Sequence, residues 1–193
     1  HYHMERAVIE AEKHLETARR LIENHTVNSA ALYKYYFRRG MILRIDKPAE
    51  AREYFEKSAI YAENNNESIS EKGATYLAIG TTYKIEKNYN VAKDHYFKAL
   101  FHFHEKDIYG RASALNNVAD IYRILKDYHT AIKYIEDAIA LIEKERITHH
   151  YFVLKQTLAE VKLLNEDSSA CYSYFDLLKK AMNISIDKKI VKT

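Results

Sequence analysis

Residues 92–103 read AKDHYFKALFHF, and their packing positions fall at Ala92, Tyr96, Ala99 and Phe103. Steps of four, three and four residues follow one face of an α-helix. The same offsets recur as Ala131, Ile135, Ala138 and Ile142, and as Ala51, Phe55, Ser58 and Ala62. They recur again as Ala11, Leu15, Ala18 and Ile22, and as Ala170, Tyr174, Leu177 and Ala181. The leading alanines are separated by 40, 41, 39 and 39 residues. Five unrelated amphipathic helices would not keep so constant a spacing, so the chain is a repeat.

A second helix precedes each of the last four. YYFRRGMIL carries Gly40, YLAIGTTY carries Gly80, LNNVADIY carries Ala119 and KQTLAEVK carries Ala159. The small residue lets a neighbouring helix come close, and the leading alanine of the following helix does the same from its side. The expected map is a lone helix at 4–24 and helix pairs over 27–64, 69–105, 108–145 and 148–183, with a tail at 184–193. Pro48 suits the first turn of its helix, where a missing N–H costs nothing.

Composition agrees with helices on short joints: of 193 residues, 4 are Gly and 1 is Pro. A net charge of +3, from 30 basic and 27 acidic residues, is too balanced to point to nucleic acid. No apolar run is long enough to cross a membrane. One cysteine, Cys171, cannot staple the chain internally, and the expectation is a cytoplasmic protein. Residues His1 to Met4 are either native or a tag remnant.

The helix at 108–126 carries Asn116 and Asn117 beside its packing stripe of Leu115, Val118, Ala119 and Tyr122. Asn is poor in a helix interior because its amide competes for backbone groups. One flank of this helix is polar throughout: Ser113, Asn116, Asn117, Asp120 and Arg123. Equivalent positions are Leu77, Thr81 and Lys84 in the preceding pair, and Lys34, Phe37, Arg38, Met41 and Arg44 in the first. An extended peptide brings backbone N–H and C=O groups that must be satisfied when buried. An Asn amide offers both a donor and an acceptor on a short stem, which is what holding such a backbone requires. Leu77, Phe37 and Met41 would form side-chain pockets, and Arg38 would suit a carboxylate. The competing reading is a solvated polar face.

No phosphate loop, dinucleotide glycine pattern, zincin motif or paired-cysteine zinc pattern occurs. His102 and His104 point to different helix faces, as do His149 and His150, so no metal or other cofactor is expected. Cys171 reads as a small buried hydrophobe. Nothing suggests an enzyme.

The pattern Tyr76, Gly80, Tyr83, Ala92, Tyr96, Ala99, with Leu115, Ala119, Tyr122, Ala131 and Ala138, resembles the tetratricopeptide repeat. That resemblance implies an all-α, right-handed superhelical solenoid of helix pairs. The period near 40 exceeds the usual ~34, so each helix is about a turn longer. Arg39 departs from the pattern at an apolar position. Lys155 and Lys162 depart in the last pair, which predicts a reoriented or solvent-facing helix there. The Tyr-rich repeats, with NNVADIY followed by KDYHTAIKYIEDAI, look like the Rap-type peptide-pheromone receptors of Gram-positive bacteria. The resemblance implies a quorum-sensing regulator whose inner-helix asparagines hold a short imported peptide. Carried over, that role falls on Asn117, with Asn116 beside it and Asp120 as a side-chain reader. In that group an N-terminal three-helix bundle or DNA-binding domain supplies the output. This chain shows neither, so it is expected to be the sensor portion of a longer protein or a degenerate relative, making no nucleic-acid contact itself.

The expected partner is a short extended peptide or protein segment. The alternative is a general scaffold docking a folded partner, and a fragment with phosphatase activity is a distant third. The lone first helix should expose Leu15 and Ile22, predicting a homodimer through that face or an unstable first helix.

Overall fold

The computed structural model describes residues 2–24, 29–63, 69–143 and 148–165. Every regular element among them is an α-helix. They fall into two compact units, His1–His104 and Glu105–Thr193. The first holds α1 (Tyr2–Asn24), α2 (Ser29–Leu43), α3 (Pro48–Glu63), α4 (Ile69–Ile85) and α5 (Tyr89–His102). The second holds α6 (Ile108–Ile124), α7 (Tyr128–Glu143) and α8 (Thr148–Leu164). The helix expected at 168–183 and the tail at 184–193 lie outside the described residues.

The repeated offsets are the buried seam of each second helix. Ala51, Phe55, Ser58 and Ala62 are buried on α3, as are Ala92, Tyr96 and Ala99 on α5, with Phe103 at its C-cap. Ala131, Ile135, Ala138 and Ile142 are buried on α7. Ser58 stands where the other repeats have Ala, and its hydroxyl lies 3.4 Å from that of Thr75 on α4. A buried hydroxyl needs such a partner. Thr75 in turn donates to the Glu71 carbonyl at 2.9 Å.

The small residues meet rings. A methyl group at Gly40 would fall on the Phe55 ring and one at Gly80 on the Tyr96 ring. Gly73 does the same against Phe103, a contact that the repeat pattern did not flag. The turns inside the second and third expected pairs are built alike. Lys87 and Lys126 take positive φ, 62° and 63°. The N–H three residues past each helix closes back on its last turn, Asn88 to Tyr83 O and Asp127 to Tyr122 O, both 2.9 Å. Asp107 and Asp127 then cap the following helices, accepting from Gly110 N at 2.8 Å and Thr130 N at 3.1 Å.

Each departure from the repeat pattern has a partner. Arg39 forms an ion pair with Glu12 of α1 and sits 5.9 Å from the Tyr54 ring centre. An arginine at an apolar position thus ties α1 to α2. The expected reorientation of α8 does not occur. It packs on α7 through a buried set that includes Leu154, Leu158 and Val161. Its two lysines reach α7 carboxylates instead, Lys155 to Glu143 at 3.8 Å and Lys162 to Glu136 at 3.2 Å. Their long stems cover apolar surface while the ammonium stays at the edge.

The expectation for α1 needs correcting. Leu15 is buried, and the apolar side chains left in solvent are Ile9 and Leu21. Ile22 is half-buried, and the seam positions Ala11, Leu15, Ala18 and Ile22 line an open cleft between α1 and α2, so this apolar face is only partly covered. No described helix is long and apolar enough to cross a membrane.

Candidate functional site

In the second unit, α6 has a buried side and a half-exposed flank. Ala112, Ala114, Leu115, Val118, Ala119 and Ile121 are buried. Ser113, Asn116, Asn117, Asp120 and Arg123 are all half-exposed, so the structure brings the expected polar group together on one flank. Its members differ in what they bond. Arg123 Nε and Nη2 donate to Asp120 Oδ1 at 2.9 and 2.6 Å. Asn117 Nδ2 donates to the Ser113 carbonyl one turn back at 2.9 Å. Asn116 Oδ1 is sealed from solvent with no hydrogen-bond partner among the described residues. An orphaned buried acceptor is costly, and only a donor relieves it. The terminal torsion of Asn is broad, so this oxygen can swing toward the flank at small cost. Of the two asparagines, Asn116 is the one whose oxygen is buried without a partner, whereas the bond of Asn117 uses its Nδ2 donor.

In the first unit, Lys34 and Arg38 are exposed on α2, while Phe37 and Met41 are half-buried. Phe37 packs 5.6 Å from Phe55 and 5.6 Å from Tyr33, measured between ring centres. It and Met41 border the cluster of Ala51, Phe55, Ala78 and Ile79. Phe37, Arg38 and Met41 also line an open cleft of about 1130 Å³ between α1 and α2, which extends to Glu71 of α4. The residues expected on α4 do not line it. Thr81 donates to the Leu77 carbonyl at 2.9 Å, and Leu77 and Lys84 are half-buried along the same helix.

Two features of this unit have no counterpart in the sequence reading. Tyr33, in the cleft, donates to the Glu71 carbonyl at 3.3 Å. Burial, with the Glu71 charge adding to it, pushes its hydroxyl up to about 12, so it stays a donor at any ordinary pH. The second is a ladder of stacked side chains. Arg52 lies 4.3 Å from the Tyr83 ring centre, Tyr83 stacks on His95 at 5.4 Å, and Tyr76 stacks on His102 at 5.0 Å. His95 Nδ1 is buried without a partner among the described residues. Burial first, then the Lys98 cation, lowers the His95 pKa against the opposing pull of Asp94. Arg52 also pairs with Glu86 at 2.7 Å, locking α3 to the end of α4. A His among tyrosines carries no periodic signal, and Glu71 reads in sequence as an ordinary first-turn acid.

No group of three or more His, Cys, Asp or Glu able to hold a metal occurs among the described residues. His102 is used in stacking, and Cys171 lies outside them.

These features define a helical-repeat interaction protein, and comparison with known proteins agrees. Residues 112–145 match the family model of the tetratricopeptide repeat. No curated protein matches the sequence. Among solved structures, the apo form of RapI aligns over 98% of this chain and 70% of its own, at 17% identity and a TM-score of 0.79. BtubC (BKLC) from P. vanneervenii aligns over 97% of this chain and 76% of its own, at 18% identity and a TM-score of 0.72. The nearly identical TPR-like repeats of a Podosopora anserina chain, described as a kinesin light chain, align over 93% and 91%, at 13% identity and a TM-score of 0.67. At these identities the likeness shows the fold, an all-α repeat solenoid.

Proposed function

We propose that the chain is the peptide-sensing part of a cytoplasmic regulator, holding a short extended peptide against the inner faces of its first helices. In the second unit Asn116 and Asn117 grip the peptide backbone while Asp120 and Arg123 read a polar side chain; in the first unit Phe37, Arg38 and Met41, with Leu77, Thr81 and Lys84, are a separate set of peptide-contacting residues. The observation carrying this reading is the unsatisfied Asn116 oxygen on a wholly polar flank. That oxygen is sealed in the folded chain, so accepting a peptide N–H requires the Asn116 side chain to turn outward onto the polar flank, where the bond would supply its missing partner. The repeat fold shared with RapI supports a chain that binds a peptide or protein segment.

The test pairs peptide affinity with melting temperature. Peptide is first recovered from the purified protein by mass spectrometry and then titrated back. Asn116→Ala and Asn117→Ala should each weaken binding by roughly ten- to a hundredfold, equivalent to about 1–3 kcal/mol of lost hydrogen bonding. The fold should hold or gain slightly, since Ala is the better helix former. Lost stability with unchanged affinity would make the asparagines structural and favour a scaffold that docks a folded partner.

A further inference from the structure

The cleft between α1 and α2 has one acidic residue among those lining it, Glu71. The carboxylate oxygen Oε2 of Glu71 is sealed from solvent and has no hydrogen-bond partner among the described residues. Around it the walls are aliphatic and aromatic, with Leu15, Ile22, Tyr33, Phe37 and Met41 contributing. The cleft slightly exceeds the roughly 300–1,000 Å³ typical of small-ligand sites. Lys34 and Arg38 also line it, but both are exposed, so water and salt screen them. Glu71 differs because one oxygen of its half-buried carboxylate, Oε2, is sealed from water without a partner and meets a ligand only once the group turns. It therefore gains most from an opposite charge brought in by a ligand, and a carboxylate's terminal torsion is soft enough to turn toward it.

We propose that this cleft binds a short apolar peptide by its free N-terminus, with the α-ammonium seated on the Glu71 carboxylate and the following apolar side chains lying along α1 and α2. The proposal rests on the peptide-binding reading above and adds to it the polarity and chemistry of the ligand. An ammonium supplies three donors, which a neutral amide end lacks. Tyr33 cannot compete for the carboxylate, because its hydroxyl is already given to the Glu71 carbonyl.

The experiment uses the full chain and two pools of hexapeptide amides, each position randomised among Leu, Ile, Val and Phe. One pool has free amines and the other is N-acetylated. Retention is read by mass spectrometry, and retained sequences are then titrated singly. Free-amine peptides should bind at least tenfold more tightly than their acetylated twins. Glu71→Gln, which keeps the shape, should abolish that difference, while Asn117→Ala should leave the ratio intact. Equal binding of both forms, retention of neither pool, or a preference that survives Glu71→Gln would each overturn the proposal. Binding that ignores Glu71 but falls with Asn117→Ala would leave the peptide-sensing reading standing and end this one alone. The free-to-acetylated ratio is read on the unmodified chain, so the proposal stays testable even if a variant folds poorly.

Discussion

Gly80 offers the sharpest test of how the repeats pack. A methyl group there would stand 2.6 Å from Tyr96 Cε1, 2.7 Å from Cδ1 and 3.1 Å from the Ala92 carbonyl oxygen. Comfortable carbon contacts lie near 3.5–4.0 Å, so the ring would have to recoil by roughly 1 Å. Tyr96 is 0% exposed and has little room to do so. Overpacking of this kind costs roughly 1–3 kcal/mol. Against it stands the helix-propensity gain of Gly→Ala, about 1 kcal/mol. Gly80→Ala should therefore destabilise by about 1 kcal/mol net, lowering the melting midpoint by roughly 2–4 °C for a chain of this size. The partner change decides the cause. Tyr96→Leu removes the obstructing ring, and in that background Gly80→Ala should stabilise, because the propensity gain then faces only the milder 3.1 Å contact with the Ala92 carbonyl. Urea melts of the four chains in the cycle measure the reversal. If Gly80→Ala has the same sign and size in both backgrounds, the Tyr96 ring is not the obstacle and the assigned repeat phase is wrong.

Lys126 holds a left-handed backbone conformation with φ of 63°, which costs a side-chain-bearing residue roughly 1–2 kcal/mol and glycine little. Lys126→Gly should raise stability by up to about 1 kcal/mol after the entropy that glycine loses on folding, seen as a higher urea midpoint; a fall would refute the turn assignment. His95 is held neutral, its folded pKa lowered below the ordinary 6.5. The unfolded chain therefore takes up this proton first, so the stability that His95 contributes is fully present above pH 6.5 and is lost as pH falls toward the folded value. The melting temperature of the parent should fall more steeply between pH 7 and 5 than that of His95→Phe, which keeps a ring between Tyr76 and Tyr83; parallel slopes would place the titration elsewhere.

What periodicity reveals is which face of each helix is buried. The four-three-four offsets found α3, α5 and α7 because their seam positions are filled by alanine and large rings, and Gly40 and Gly80 marked where rings lie against backbone. Ser58 obeyed the offsets while breaking the hydrophobic rule, since Thr75 satisfies its hydroxyl. Arg39 and the α8 lysines looked like failures of the repeat, and only the neighbouring helices show why they are tolerated: each has a carboxylate across the gap. The polar flank of α6 was legible for the same reason as the seams, as five polar residues at helical spacing. Which of its asparagines has an oxygen buried without a partner was not, because that depends on a terminal torsion and on how neighbouring side chains cover it. Glu71 lies furthest from what a sequence can disclose. It occupies the first turn of α4, where an acid is expected for its effect on the helix dipole alone. Its interest comes from a cleft formed largely by two other helices and from an oxygen sealed from water without a partner. Fully buried polar atoms are ordinarily satisfied by the packing and exposed ones by the solvent, so the buried atoms left without a partner among the described residues, Asn116 Oδ1 and Glu71 Oε2 with His95 Nδ1, are the ones that periodicity has no means of marking.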